Sequence, residues 1–394
     1  MMRYIGIALI FFSIINLFFV AYRNSRVDEK TRTFSSHTLL TSSWDYYKRR
    51  FIMKDGRVID PSQNNITTSE GQSYALLRAV WIDDKDTFDT VLSWTMTNLK
   101  RPEDNLFGWR WGKRADGTYG FAENGGNNAA SDADQDIALA LILASRRWSQ
   151  PEYLAKAQPI MRDLWNKETG EANNKRYLIA GTWANQPDKL VINPSYLAPY
   201  AWRIFAVEDK ERDWNSLVSP AYELLNSSSN SPLDKDFTVG LPPNWVAVRK
   251  TDGNLEALKG SNLNTNYSWD AIRVPWRVAL DYQWNKDEQA KQYLANHFSS
   301  LRDTLKQDNK LAADYTHDGK VVASYESPSL YATLLGYYIV TDKSAADRLY
   351  QDKILRLYST SENTFNKDLP YYEQNWLWFG AALYQNYLQP FTQK

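Results

Sequence analysis

The chain has 394 residues, with 46 lysines and arginines against 46 aspartates and glutamates. No net field therefore draws it to nucleic acid or to an acidic surface. It has no cysteine and only His37, His297 and His317 as histidines, which excludes disulfides and thiolate nucleophiles and leaves no basis for a cysteine- or histidine-rich metal centre. Catalysis then falls to carboxylates, tyrosines and basic side chains. The 16 tryptophans and 25 tyrosines exceed what a core of this size requires, and flat rings with polar rims suit sugar rings as well as cores.

In chain order, the first element is the uncharged run Tyr4 to Tyr22, bracketed by Arg3 and by Arg23 and Arg26. As a helix it spans about 28 Å, close to a bilayer's hydrocarbon thickness. Its end, Phe18-Phe19-Val20-Ala21-Tyr22, is a poor cleavage site. Residues 1–22 are therefore expected to be a transmembrane anchor, with a cleaved signal as the alternative. Residues 23–36 read as a polar tether, and residues 37–390 as one extracytoplasmic domain.

Helical periodicity then recurs over 37–53, 69–83, 84–100, 131–148, 151–167, 194–207, 211–227, 271–284, 287–307, 325–341, 344–358 and 371–388. Twelve helices can close as six hairpins into a double ring. Asp55-Gly56, Asp116-Gly117, Asp252-Gly253 and Asp318-Gly319 each sit between short strand-forming runs and predict tight hairpins. The long connections 101–130, 168–193 and 228–267 have the length of functional loops.

Three acids stand where chemistry is possible. Glu70, in Thr67 to Trp81, shares its helix face with Tyr74, Leu77 and Trp81. Desolvation there raises its pKa while the helix start lowers it. Thr67 with Glu70, or Ser69 with Gln72, could form a capping box. The segment Ala130 to Trp148 places Asp132, Asp134 and Asp136 at the start of an apolar helix. Ser131 with Asp134 predicts another capping box, which leaves Asp132 free for other work. Asp270 precedes Pro275, which cannot sit deep in a helix, so it falls in the first turn or just before it. Arg273 is then placed to pair with it and keep it ionised, as a general base requires.

The blocks TSEGQSYALL, AASDADQDIALALILA, NPSYLAPYAWRIFA and SWDAIRVPWR, taken in this order, resemble glycoside hydrolase family 8, which includes bacterial endoglucanases, chitosanases, xylanases and exopolysaccharide hydrolases. The resemblance extends over roughly residues 37–390. It implies an all-α (α/α)6 toroid of six helical hairpins with small β-hairpins in the loops. It further implies Glu70 as proton donor, Asp270 as base, Asp132 as the acid holding the sugar, Tyr196 beside the attacking water, Arg273 next to the base, and Trp109 and Trp111 as stacking aromatics. Asp134 and Asp136 are taken as structural.

Two carboxyl groups suffice to cut a glycosidic bond, with no metal or cofactor. The resemblance implies inversion, with the Glu70 and Asp270 carboxyls about 6.5–9.5 Å apart. The reading is an endo-acting hydrolase of a β-linked polysaccharide, β-1,4-glucan-like or a cell-envelope exopolysaccharide, without nucleic-acid partners. An anchor would place it near exopolysaccharide synthesis or export machinery. The rival reading is a binding or assembly protein on a hydrolase scaffold. A lyase would want a basic groove for uronates, which the balanced charge does not offer. Glu123 and Glu326 are the extra acids an amino-sugar polymer would call on.

Overall fold

The computed structural model describes residues 38–259 and 263–392. The expected anchor and tether, residues 1–36, lie outside the described residues. Among the described residues, no helix is long and apolar enough to cross a membrane.

The described residues form thirteen α-helices. They are α1 (38–51), α2 (Ser69–Ile82), α3 (Lys85–Asn98), α4 (Ser131–Trp148), α5 (Pro151–Lys167), α6 (Pro199–Glu208) and α7 (Val218–Asn230). The chain continues with α8 (Val274–Asn285), α9 (Glu288–Asn296), α10 (Ser299–Asp308), α11 (Pro328–Thr341), α12 (Lys343–Leu349) and α13 (Tyr371–Tyr384). All twelve expected spans carry helix; the extra one comes from 287–307, which breaks at His297-Phe298. Phe298 adopts φ 68° and buries its ring against Tyr267, Tyr293 and Tyr337. His297 meets Gly240 O at 2.9 Å and Asn226 Oδ1 at 3.1 Å. These tertiary contacts outweigh continued helix.

Alternate helices form an inner ring. α2 packs on α4, α4 on α6, α6 on α8, α8 on α11, α11 on α13, and α13 closes on α2. The inner helices are apolar nearly all round, as burial on all sides requires; PSLYATLLGYYIVT of α11 is buried from Ser329 through Tyr338. Outer helices such as α5 and α10 bury one face only. Glycines let the inner ring close tightly. A β-carbon at Gly336 would stand 2.2 Å from Pro275 O, and one at Gly380 would stand 2.4 Å from Ala332 O.

Small sheets decorate the loops. β1 (Thr67–Thr68), β2 (Arg110–Lys113) and β3 (Tyr119–Phe121) form one sheet, and β4 (Thr169–Ala172) and β5 (Lys175–Leu178) a hairpin. β6 (Lys189–Ile192), β7 (Val246–Arg249) and β8 (Leu255–Glu256) form a second sheet. Two further hairpins pair β9 (Asp314–Tyr315) with β10 (Val321–Ala323), and β11 (Tyr358–Ser359) with β12 (Thr364–Phe365). All four Asp-Gly turns sit at hairpin tips, Asp55-Gly56 closing the Ile52–Val58 bridge. Asn173-Asn174, both with positive φ, make the β4–β5 turn that the sequence reading missed.

Candidate active site

The inner helices α2, α4, α8 and α13 bring their N-terminal ends to one place. Helix starts carry unpaired N–H groups and the positive end of the dipole, so they suit clustered carboxylates. Glu70 lies in the first turn of α2, and Asp132 in the first turn of α4. Tyr196 ends the short turn Pro194–Tyr196 before α6. Asp270 precedes the turn Ala271–Arg273 that leads into α8, with Pro275 in that helix's first turn.

The caps differ from those expected. Thr68 caps α2, its Oγ1 accepting from Gly71 N at 3.0 Å, while Gln72 Oε1 accepts from Val58 N at 2.6 Å. Ala130, at the N-cap of α4, provides no side-chain cap, and Asp132 Oδ1 accepts from Ala133 N at 2.8 Å. Ser131 instead donates to Ile179 O at 2.6 Å, and Asp134 Oδ1 accepts from Phe107 N at 2.9 Å. Tertiary partners outcompeted the local pattern at both residues. Asp134 and Glu168 lie within hydrogen-bonding reach, and burial pushes both carboxyls well up. The other Asp134 oxygen and both Glu168 oxygens are buried without a hydrogen-bond donor. Asp134 is thus structural.

Arg273 organises the site. Its side chain is 1 % exposed, yet it meets three carboxylates. Nη1 donates to Glu70 Oε2 at 3.0 Å and to Asp132 Oδ2 at 2.9 Å, and Nη2 donates to Asp270 Oδ1 at 2.7 Å. Nε donates to Ser195 Oγ at 3.1 Å, and Ser195 in turn donates to Asn193 Oδ1 at 2.7 Å. The Tyr196 ring lies 5.2 Å from the guanidinium carbon. Asn244 fixes the loop before α8, accepting from Ala271 N at 2.9 Å and donating to Ser268 Oγ at 2.7 Å.

The three acids differ in access. Asp132 is 5 % exposed, whereas Glu70 and Asp270 are 24 % and 30 % exposed and open outward. One guanidinium cannot neutralise three carboxylates. Burial, reinforced by Asp132 and Asp270, pushes Glu70 up to about 7 although Arg273 and the Tyr371 hydroxyl pull it down. Desolvation thus outweighs the helix start, which the sequence left open. Burial also raises Asp132, against the pull of Arg273 and Arg277. The Tyr196 phenol is raised well above its ordinary value and stays protonated.

Sequence reasoning named five of the converging groups: Glu70, Asp132, Tyr196, Asp270 and Arg273. It missed Tyr371, whose hydroxyl donates to Glu70 Oε1 at 3.0 Å, and Trp245, whose Nε1 donates to Asp270 Oδ2 at 3.1 Å. It missed Ser195 as well. Trp245 lies in a loop already singled out for its length, and Tyr371 opens a helix start rich in tyrosine.

Trp109 is held beside the site, since its carbonyl accepts from Ser69 N at 3.1 Å. The residue is 38 % exposed, and Trp183 and Trp269 are 37 % and 43 % exposed. Trp111 instead packs among other side chains, stacked on Tyr119 at 5.4 Å with the Arg57 guanidinium at 4.7 Å. Glu326 pairs with Lys353 at 2.8 Å, and Glu123 is an exposed loop acid. Among the described residues no group of histidines and acids could hold a metal ion.

The model of glycosyl hydrolases family 8 matches residues 29–377. An endoglucanase of Cellulomonas uda is 32 % identical over 239 residues, which cover 60 % of this chain and 63 % of the relative. An endoglucanase of Pseudomonas fluorescens is 33 % identical over 241 residues, covering 59 % and 58 %. The chain thus spans about three-fifths of the length of these curated relatives. Among solved structures, a family 8 endoglucanase from Klebsiella pneumoniae superposes with a TM-score of 0.68 at 25 % identity, covering 87 % of this chain and 99 % of that one. With a matched model over most of its length, and a ring of inner helices gathering acids at one end, this chain belongs to glycosyl hydrolases family 8.

Proposed function

We propose that the protein is an endo-acting, inverting glycoside hydrolase of a β-1,4-glucan-like polysaccharide. The observation that carries the reading is the Arg273 cluster: one buried guanidinium fixes Glu70, Asp132 and Asp270, and burial together with the neighbouring acids leaves Glu70 holding a proton near neutrality. The endoglucanase names of the relatives support a β-glucan substrate.

In this reading Glu70 gives its proton to the glycosidic oxygen as that bond breaks. Asp270 takes a proton from the water that attacks the anomeric carbon from the opposite face. Arg273 and the Trp245 indole aim the Asp270 carboxylate, and Tyr196 sits where it can orient the water. Asp132 accepts a sugar hydroxyl. A whole guanidinium stands between Glu70 and Asp270, which suits the longer carboxyl spacing of inverting enzymes. Exposed Trp109, Trp183 and Trp269 offer faces for sugar rings.

New reducing ends released from a soluble β-1,4-glucan test the reading. Wild type should generate them and Glu70→Gln should not; equal behaviour across a glycan panel would leave only a binding protein. For the run Tyr4 to Tyr22 the proposal is an anchor that keeps the ring outside the cytoplasm, near exopolysaccharide export. Retention of the chain in alkali-washed membranes would support it, and release would refute it.

A further inference from the structure

One helical turn below Arg273 and Asp132, α8 and α4 meet a second time. Arg277 and Asp136 are 1 % and 2 % exposed. They form a two-pronged pair, Nη1 to Oδ1 at 3.0 Å and Nη2 to Oδ2 at 2.8 Å. Nη1 also donates to the Tyr200 hydroxyl of α6 at 2.6 Å, and Tyr200 is wedged edge-on between Trp276 and Trp284. The two aspartates are four residues apart along α4, and the two arginines four apart from the N-cap of α8 into its first turns, so the two pairs form successive rungs of one ladder. The upper rung ends in solvent-facing acids. The lower rung is sealed.

We propose that Arg277 and Asp136 are positioning residues of the active site: their fork fixes the register of α8 against α4, and their balanced charges set the field in which Asp132 works. A planar fork meeting a carboxylate in two bonds allows one register, whereas a single bond allows several. The pair is also electrically silent only while complete. Losing Asp136 leaves a buried cation beside Asp132; losing Arg277 leaves a buried anion there. The other groups facing Asp132 are Glu70 and Tyr74 from α2, Tyr196 before α6, Glu168 at the end of α5, and Asp270 and Arg273 at the entry to α8. All of these remain in the variants, so the change in field comes from the lower rung alone.

The inference rests on the hydrolase reading, and its test separates the two. The pH dependence of kcat/KM on a soluble β-1,4-glucan is measured for wild type, Asp136→Asn, Arg277→Met, Arg277→Lys and the double variant Asp136→Leu/Arg277→Met. In parallel, ¹³C NMR of aspartate labelled at the side-chain carboxyl follows Asp132 titration without turnover. For Asp136→Asn the acidic limb and the Asp132 midpoint should move down by roughly half a pH unit or more, and for Arg277→Met up by a similar amount. The lysine variant, which keeps the charge, and the double variant, which removes both charges, should return the midpoints close to wild type, while both, lacking the two-bond fork, should keep a lowered kcat/KM at the optimum pH. If Arg277→Met does not fold, Asp136→Asn against Arg277→Lys decides. Shifts of one sign, or lowered melting temperatures with unmoved midpoints, would reduce the rung to scaffolding and overturn the proposal. Wild type without hydrolysis would sink the hydrolase reading while the NMR midpoints still judge the rung.

Discussion

Arg273 and Arg277 sit one turn apart on the same strand of sequence, both almost wholly buried, and each meets an aspartate of α4. Their surroundings make them opposites. Arg277 has one carboxylate to itself and two matched bonds, so its charge is cancelled where it stands. Arg273 is divided among three carboxylates, two of them open to solvent, so negative charge is left over. Burial holds a proton on Glu70, and this excess adds to it. A buried arginine is thus neither structural nor functional by type; the number of acids it must serve decides.

The comparison can be broken at its reacting end first. Glu70→Gln and Asp270→Asn should each lower kcat by about 10²–10⁴-fold, the range for a lost general acid or base, with folding intact by circular dichroism. A smaller loss in both would mean that the excess charge serves no chemistry.

The next effect should divide the two arginines. Arg277→Met strands Asp136 in a sealed site and should cost about 3–5 kcal/mol in urea unfolding. Arg273→Met should cost less stability, because Glu70 and Asp270 can reach water or take up protons, but should abolish turnover. Equal stability losses would show that solvent access at the upper rung relieves nothing.

The pH response sharpens the same point. Glu70 must be protonated to act as donor, so activity should fall as pH rises through about 7. The folded protein also keeps a proton on Glu70 that the unfolded chain, at the ordinary value of 4.5, gives up. Stability from this group is therefore complete below about 4.5 and is lost as pH climbs to about 7. Glu70→Gln should flatten that part of the stability profile.

The smallest expected effect is at Trp245. Trp245→Phe keeps the ring and removes the N–H that meets Asp270, which should cost about 1 kcal/mol, or about fivefold in kcat/KM.

Much of this was legible in the sequence because it is local. Helical periodicity marked every helical span, Asp-Gly pairs marked four hairpins, and Pro275 placed Asp270 just ahead of α8. The Asp270–Arg273 pair, three residues apart, was legible for the same reason. What stayed hidden depends on partners distant in sequence. Ser131 and Asp134 look like a capping box, yet Ile179 and Phe107 claim their side chains. Tyr371 reaches Glu70 from about three hundred residues away, and the break at His297-Phe298 answers to contacts from Gly240, Tyr267 and Tyr337. Periodicity carries no record of such closures.

The central claim is that Glu70 and Asp270 act across the Arg273 guanidinium as donor and water-activating base. The most direct measurement is ¹H NMR of the anomers first released from a β-1,4-linked oligosaccharide, before mutarotation. The account predicts that α-anomer accumulates first; a first product in the β form would contradict it.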